Sequence, residues 1–212
     1  MSPSAADFSG LAASLDVANV DTDSIIPIQY CINRDRPHFD VGLFRNWRFD
    51  EDGQALDFVL NREPWNKARI LIAGPNFGCG SSREMAVWAL ADFGIRCVIA
   101  PGFGEIFYNN CFHNGVLAAT VSAVDCEQLH QLATSEPYLD LIIDIVAKSI
   151  RHRDDTAITF ELDEMRSSML LDGVDPITAT LHRIDTIEAF EARDRSRRPW
   201  AQIPGTGSST NT

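Results

Sequence analysis

Three short apolar runs dominate the middle of the chain: ILIA at 70–73, CVIA at 97–100 and VLAATV at 116–121. Four consecutive apolar residues without polar alternation mark a strand buried on both faces. The first two runs are followed by a glycine-punctuated turn and a helical segment, and the third leads directly into one. REMAVWALADF (83–93) places Met85, Trp88, Ala89 and Phe93 on one helical face, with Gly94 as its stop. GEIFYNNCFHNG ends at Gly115, and AVDCEQLHQLA follows the third run. Strand–helix alternation of this kind predicts an α/β fold containing parallel strands.

The flanks are read from local composition. GLAASLDVANV (10–20) reads as a strand or strand pair entering the loop Asp21-Thr22-Asp23. Residues 34–66 are rich in Arg, Asp, Asn, Pro and Trp without period, a long excursion with short helical turns. DLIIDIVAKSI and DTAITFEL resemble the two strands of a β-hairpin, and 176–195 reads as helical. One domain is expected over 1–195, with 196–212 as a disordered tail. The histidines and the run Arg195-Ser196-Arg197-Arg198 read as solvated surface.

A formal charge of −12 argues against nucleic acid or an anionic membrane as partner. No apolar stretch is long enough to span a bilayer, and MSPSAADFSG lacks the basic and apolar regions of a secretory signal. A cytoplasmic location is expected. The cysteines Cys31, Cys79, Cys97, Cys111 and Cys126 are odd in number, scattered and without CxxC spacing. They predict neither a disulfide framework nor a zinc or iron–sulfur ligand set, so no cofactor is expected on this chain. Cys97, Cys111 and Cys126 read as small core residues.

The chemistry concentrates in Asn76-Phe77-Gly78-Cys79-Gly80-Ser81-Ser82-Arg83-Glu84, between a buried strand and a helix. Backbone N–H groups and the positive helix end converge there on an anion. Gly78 and Gly80 permit positive φ and close approach of a ligand, and a guanidinium pairs bidentately with a carboxylate. A site for a small carboxylate follows. The spacing Ser81-x-x-Glu84 equally fits a capping box, a purely structural role. Neither GxGxxG nor a Walker pattern is present, and Cys79 has no visible base to make it a nucleophile.

NFGCGSSRE followed by AVWAL resembles the signature of the aconitase superfamily's swivelling domain, and specifically that of isopropylmalate dehydratase small subunits. ANVDTDSIIP, LFRNWRF, DFVLN, CVIAPGFGEIFYNNCFHNGVL and DGVDPITATL resemble further stretches of that family in the same order. The resemblance implies a three-layer β/β/α domain like the fourth domain of aconitase. It implies a large partner subunit that bears a [4Fe-4S] cluster, and dehydration–rehydration of a hydroxy-dicarboxylate, 2-isopropylmalate, in leucine biosynthesis. It assigns Ser81 as the catalytic base, Ser82 as a substrate contact and Arg83 as a catalytic arginine that binds substrate carboxylate and steadies the serine oxygen. Asp23 matches an aspartate near the active centre, although an Asx-turn or helix-cap role fits equally. Tyr30, Cys31 and Ile32, with Arg34 beyond, fall in the loop that selects the substrate: Cys31 and Ile32 suit an alkyl group, and Arg34 would suit an extra carboxylate. Met85 stands where the family usually has His, and Tyr30-Cys31 and Met169-Leu170-Leu171 also depart from its pattern. Those departures leave open a dehydratase for another substituted malate or maleate of dimethylmaleate, homoaconitate or citraconate type. An anion-binding protein without catalysis is a further alternative.

Overall fold

The computed structural model describes residues 7–32, 38–81, 83–153, 157–173, 176–181 and 183–201. The three apolar runs form β2 (Ile70–Ala73), β3 (Cys97–Ala100) and β4 (Leu117–Thr120), parallel and adjacent. Every residue of β2 and β3 is buried, as strands covered on both faces require. β1 (Asp7–Leu15) is a single strand with two allegiances. Its residues 12–15 pair in parallel with β2, and residues 7–11 pair antiparallel with β5 (Asp140–Asp144). β6 (Ser149–Arg151) and β7 (Ile158–Thr159) continue antiparallel, giving the order β4-β3-β2-β1-β5-β6-β7. A bridge between Thr120 and Glu161 joins the two ends of this order, so the sheet curls back on itself.

The expected pairing of DLIIDIVAKSI with DTAITFEL is present as β6–β7, Ser149 opposite Thr159 and Ile150 opposite Ile158, and a further hairpin, between β5 and β6, falls within the first segment. Asp144 Oδ1 accepts from Ala147 N at 2.6 Å and Lys148 adopts φ 53°, an Asx-type turn made without glycine.

Helices follow the strands. The short α1 (Thr22–Ile25) and α2 (Arg45–Arg48) lie in the loop after β1 and in the excursion; α3 (Glu84–Phe93), α4 (Glu105–His113) and α5 (Ala123–Ser135) follow β2, β3 and β4. α5 crosses β1, β2 and β3, α4 packs on β4, and α3 packs on α4 and α1. The face that α3 buries differs from expectation. Ala86, Val87, Ala89 and Leu90 are enclosed, while Met85, Trp88 and Phe93 pack at the margin. Met85 thus packs against the core.

Cys97, Cys111 and Cys126 are core residues, and burial pushes all three thiols up, Cys126 to about 11. Two histidines depart from the surface reading. His130 on α5 is 6% exposed with Nδ1 2.8 Å from Ser14 Oγ, and His152 is 7% exposed and 3.5 Å from Glu136. α6 (Glu164–Asp172) lies against α4, with the Arg166 guanidinium over the rings of Tyr108 and Phe112.

The chain divides into two units, 1–173 and 174–212. The second contains α7 (Pro176–Leu181) and α8 (Ile184–Arg197), whose arginines Arg195 and Arg198 pair with Glu191 and Asp194 one turn earlier.

Candidate active site

Chain segments leaving the carboxyl ends of parallel strands converge, and in open α/β sheets that is where ligands bind. The segment after β2, residues 74–81, is clamped from both sides. On one side runs the loop after β1. Asn19 N donates to Pro75 O at 2.9 Å, Gly78 N to Val20 O at 2.7 Å and Thr22 N to Cys79 O at 3.0 Å. Thr22, fully buried, adds its hydroxyl to Ser81 O at 2.6 Å. On the other side, Phe77 N donates to Gly102 O at 3.0 Å and Gly104 N to Phe77 O at 2.9 Å. The clamp satisfies the turn's polar groups in place of regular structure.

The glycines divide their roles. Gly78 has φ 72°, and a Cβ there would lie 2.2 Å from Phe107 Cγ. What approaches Gly78 is therefore a core ring, not a ligand. Gly80, φ 89°, is exposed, and among the described residues a Cβ there would meet only Asp21 Cβ, at 3.4 Å. Access for a ligand is at Gly80 and Ser81.

The capping box is not formed. α3 begins at Glu84 with Arg83 at its N-cap and no side-chain cap bond, and Glu84 Oε1 accepts from Asn114 Nδ2 at 3.0 Å. Ser81 lies outside the helix and is exposed. Asp23 is not a cap either, since Asp21 Oδ1 takes the Ser24 N–H at 2.7 Å. Asp23 instead forms an ion pair with Arg83, the guanidinium side chain 20% exposed and the carboxylate 53%. Arg83 Nη1 is enclosed and meets no acceptor along its N–H directions among the described residues.

Cys31 feels this pair. Burial pushes its thiol up, while Arg83 draws it down and Asp23 adds a smaller upward push. The structure thus brings Ser81, Arg83, Asp23 and Cys31 into one neighbourhood. Ile32 is 59% exposed next to Cys31. Tyr30 turns its hydroxyl to Arg45 Nε, 2.9 Å away, at an adjacent basin lined also by Asp40, Arg48 and Phe49. Ser82 and Arg34 lie outside the described residues. Thr22, Asp21 and Asn114 carry contacts that sequence reading did not assign; of these only Asp21 has a local signal, the spacing Asp21-x-x-Ser24 of an Asx cap.

The family of the aconitase C-terminal domain matches residues 3–123, and the family of the C-terminal domain of the 3-isopropylmalate dehydratase small subunit matches residues 177–203. The chain is 48% identical over 193 residues to the 3-isopropylmalate dehydratase small subunit of Mesorhizobium japonicum, covering 91% of this chain and 96% of the relative. It belongs to the family of 3-isopropylmalate dehydratase small subunits. The Brucella abortus (strain S19) small subunit is 47% identical over the same coverage. The 3-isopropylmalate dehydratase of Methanocaldococcus jannaschii shares the fold, at 24% identity and a TM-score of 0.62, over 86% of this chain and 99% of that one. The fold is therefore the aconitase-type swivelling domain, and the chain is a subunit of a heteromeric hydro-lyase.

The donor set of this small subunit does not fit an iron–sulfur cluster. Among the described residues no group of three or more His, Cys, Asp or Glu could hold a metal, and three of its cysteines are core thiols that burial keeps protonated. Among the described residues no helix is long and apolar enough to cross a membrane.

Proposed function

We propose that this small subunit, joined to its large subunit, isomerises 2-isopropylmalate to 3-isopropylmalate in leucine biosynthesis, by removing water across a carbon–carbon bond and adding it back in the other orientation. Ser81 Oγ is the base that takes the proton from substrate carbon. Arg83 binds a substrate carboxylate, Ser82 and Asp23 contribute further contacts, and Cys31 and Ile32 face the alkyl group. The Lewis acid for the departing hydroxyl is assigned to a [4Fe-4S] cluster in the large subunit.

One observation carries this reading: an exposed Ser81 beside a mostly enclosed Arg83, on a turn clamped by Thr22 and Gly104. A serine hydroxyl is a poor base in water, and a preorganised cation nearby favours charge on its oxygen. Asp23, more exposed than Arg83, keeps the guanidinium paired between turnovers. The apolar side chains of Cys31 and Ile32 favour an alkyl group over an additional carboxylate.

The test is anaerobic co-expression with the large subunit and assay on 2-isopropylmalate beside other substituted malates. Ser81→Ala is expected to lower kcat by about 10²–10⁴-fold, the range associated with a positioned base, in an enzyme that still assembles. Near-normal turnover with alanine at 81 would overturn the assignment.

A further inference from the structure

Asn114 stands at the C-terminal end of α4 and reaches across to the start of α3. Its Oδ1 accepts from Trp88 Nε1 at 2.9 Å, and its Nδ2 donates to Glu84 Oε1 at 3.0 Å and to Asn110 O at 2.9 Å. An indole nitrogen only donates, so Trp88 fixes which way the amide faces: oxygen to the indole, NH₂ to the Glu84 carboxylate. Trp88 itself is held edge-on to Phe39, ring centroids 5.2 Å apart.

Glu84 has an alternative partner. Ser81-x-x-Glu84 is the spacing of a capping box. Were α3 to begin at residue 82, Ser81 Oγ would accept the Glu84 N–H and the Glu84 carboxylate would accept the Ser81 N–H. That helix start is locally favourable, and it would engage the oxygen that must be available to take a proton. In the observed structure Asn114 Nδ2 binds Oε1 of that carboxylate and so draws the Glu84 side chain toward the end of α4.

We infer that Asn114 is a positioning residue, which holds Glu84 out of a capping box and so keeps Ser81 Oγ outside the helix cap. The inference rests on the reading of Ser81 as the base. Asn114 touches no substrate, and its effect on turnover passes through Glu84.

The test exchanges the two partners in the reconstituted enzyme. Asn114→Asp is isosteric and still accepts from Trp88, but it removes the donor and sets a carboxylate against Glu84. It is expected to lower kcat about tenfold, the factor corresponding to one hydrogen bond to a charged group, with KM within about twofold. Glu84→Gln alone is expected to stay near wild type. The double variant Asn114→Asp/Glu84→Gln restores the bond with its direction reversed and is expected to regain kcat within about twofold. Hydrogen exchange gives a readout besides activity: amides at 81–84 gain protection in Asn114→Asp and lose it in the double variant. Unaltered kcat in Asn114→Asp, or a double variant no better than the single, would overturn the inference. If Ser81→Ala keeps its turnover, the base assignment fails instead, while the exchange result still decides whether Asn114 controls the helix start.

Discussion

Gly78→Ala isolates the packing that holds the active turn. Gly78 is buried at φ 72°, and an added methyl would lie 2.2 Å from Cγ, 2.5 Å from Cδ1 and 2.7 Å from Cβ of Phe107, which is 1% exposed. No rotation of alanine relieves this, and the ring cannot retreat without displacing Phe77 and Phe103, its aromatic neighbours at 5.5 and 6.4 Å. A left-handed conformation costs a Cβ-bearing residue about 1–2 kcal/mol, and overpacking costs about 1–3 kcal/mol. Together they predict a loss of about 3 kcal/mol. For a chain of this size that lowers Tm by about 6–12 °C. Gly80→Ala is the control. It carries the backbone cost but among the described residues meets only Asp21 Cβ, at 3.4 Å, so its loss is expected at about 1–2 kcal/mol. Urea titration followed by circular dichroism measures both. A double cycle with Phe107→Leu adds the decisive number: the Gly78→Ala cost should shrink by about 1–2 kcal/mol when the ring is absent. Equal losses at 78 and 80, or no coupling to position 107, would refute the claim that a core ring dictates this glycine.

Arg83→Lys replaces a fork with a point charge beside Asp23, and kcat/KM for 2-isopropylmalate is expected to fall about 100-fold while the assembled enzyme keeps its melting temperature within about 3 °C. Alkylation of the native chain followed by mass spectrometry should modify the half-buried Cys79 and Cys31 before Cys97, Cys111 and Cys126. The same core thiols limit alkaline stability. Burial raises Cys126 from 9.0 to about 11, so the unfolded thiol ionises first. Stability is full below pH 9.0 and declines as pH rises toward 11; a midpoint in urea unchanged between pH 8 and 10.5 would contradict this.

The parallel half of the fold was legible because β2 and β3 are uniformly apolar, and only doubly covered strands require that. The antiparallel half was less so. The β6–β7 pairing was anticipated, but the β5–β6 turn before it is closed by Asp144 and a left-handed Lys148 instead of glycine and so carried no turn signal. At the site, the glycines and the GSSR motif marked the turn that carries the proposed base, but the partners that shape it are distant in sequence. Thr22 reaches Ser81 across 59 positions and Asn114 reaches Glu84 across 30. No local spacing rule connects such pairs. The capping box fitted the spacing and failed in the structure because a tertiary contact outcompeted it. His130 and His152 likewise read as surface until α5 and the curled sheet enclosed them.

An anionic substrate must bind a chain whose formal charge is −12. At physiological ionic strength exposed charges act over about 8 Å, so most of that acidity is screened from the turn. Arg83 is not screened in the same way, because its side chain is only 20% exposed. Asp23 offsets it, yet contact at Nη1 engages only part of a guanidinium that carries five donors. The half-exposed Asp23 carboxylate retains water as an alternative partner, whereas Arg83 Nη1 is enclosed. Among the described residues Asp23 is the one carboxylate paired with Arg83, so on the proposed reading the remaining donors are where a substrate carboxylate would bind. The local field at the turn, rather than the charge of the whole surface, decides what binds there.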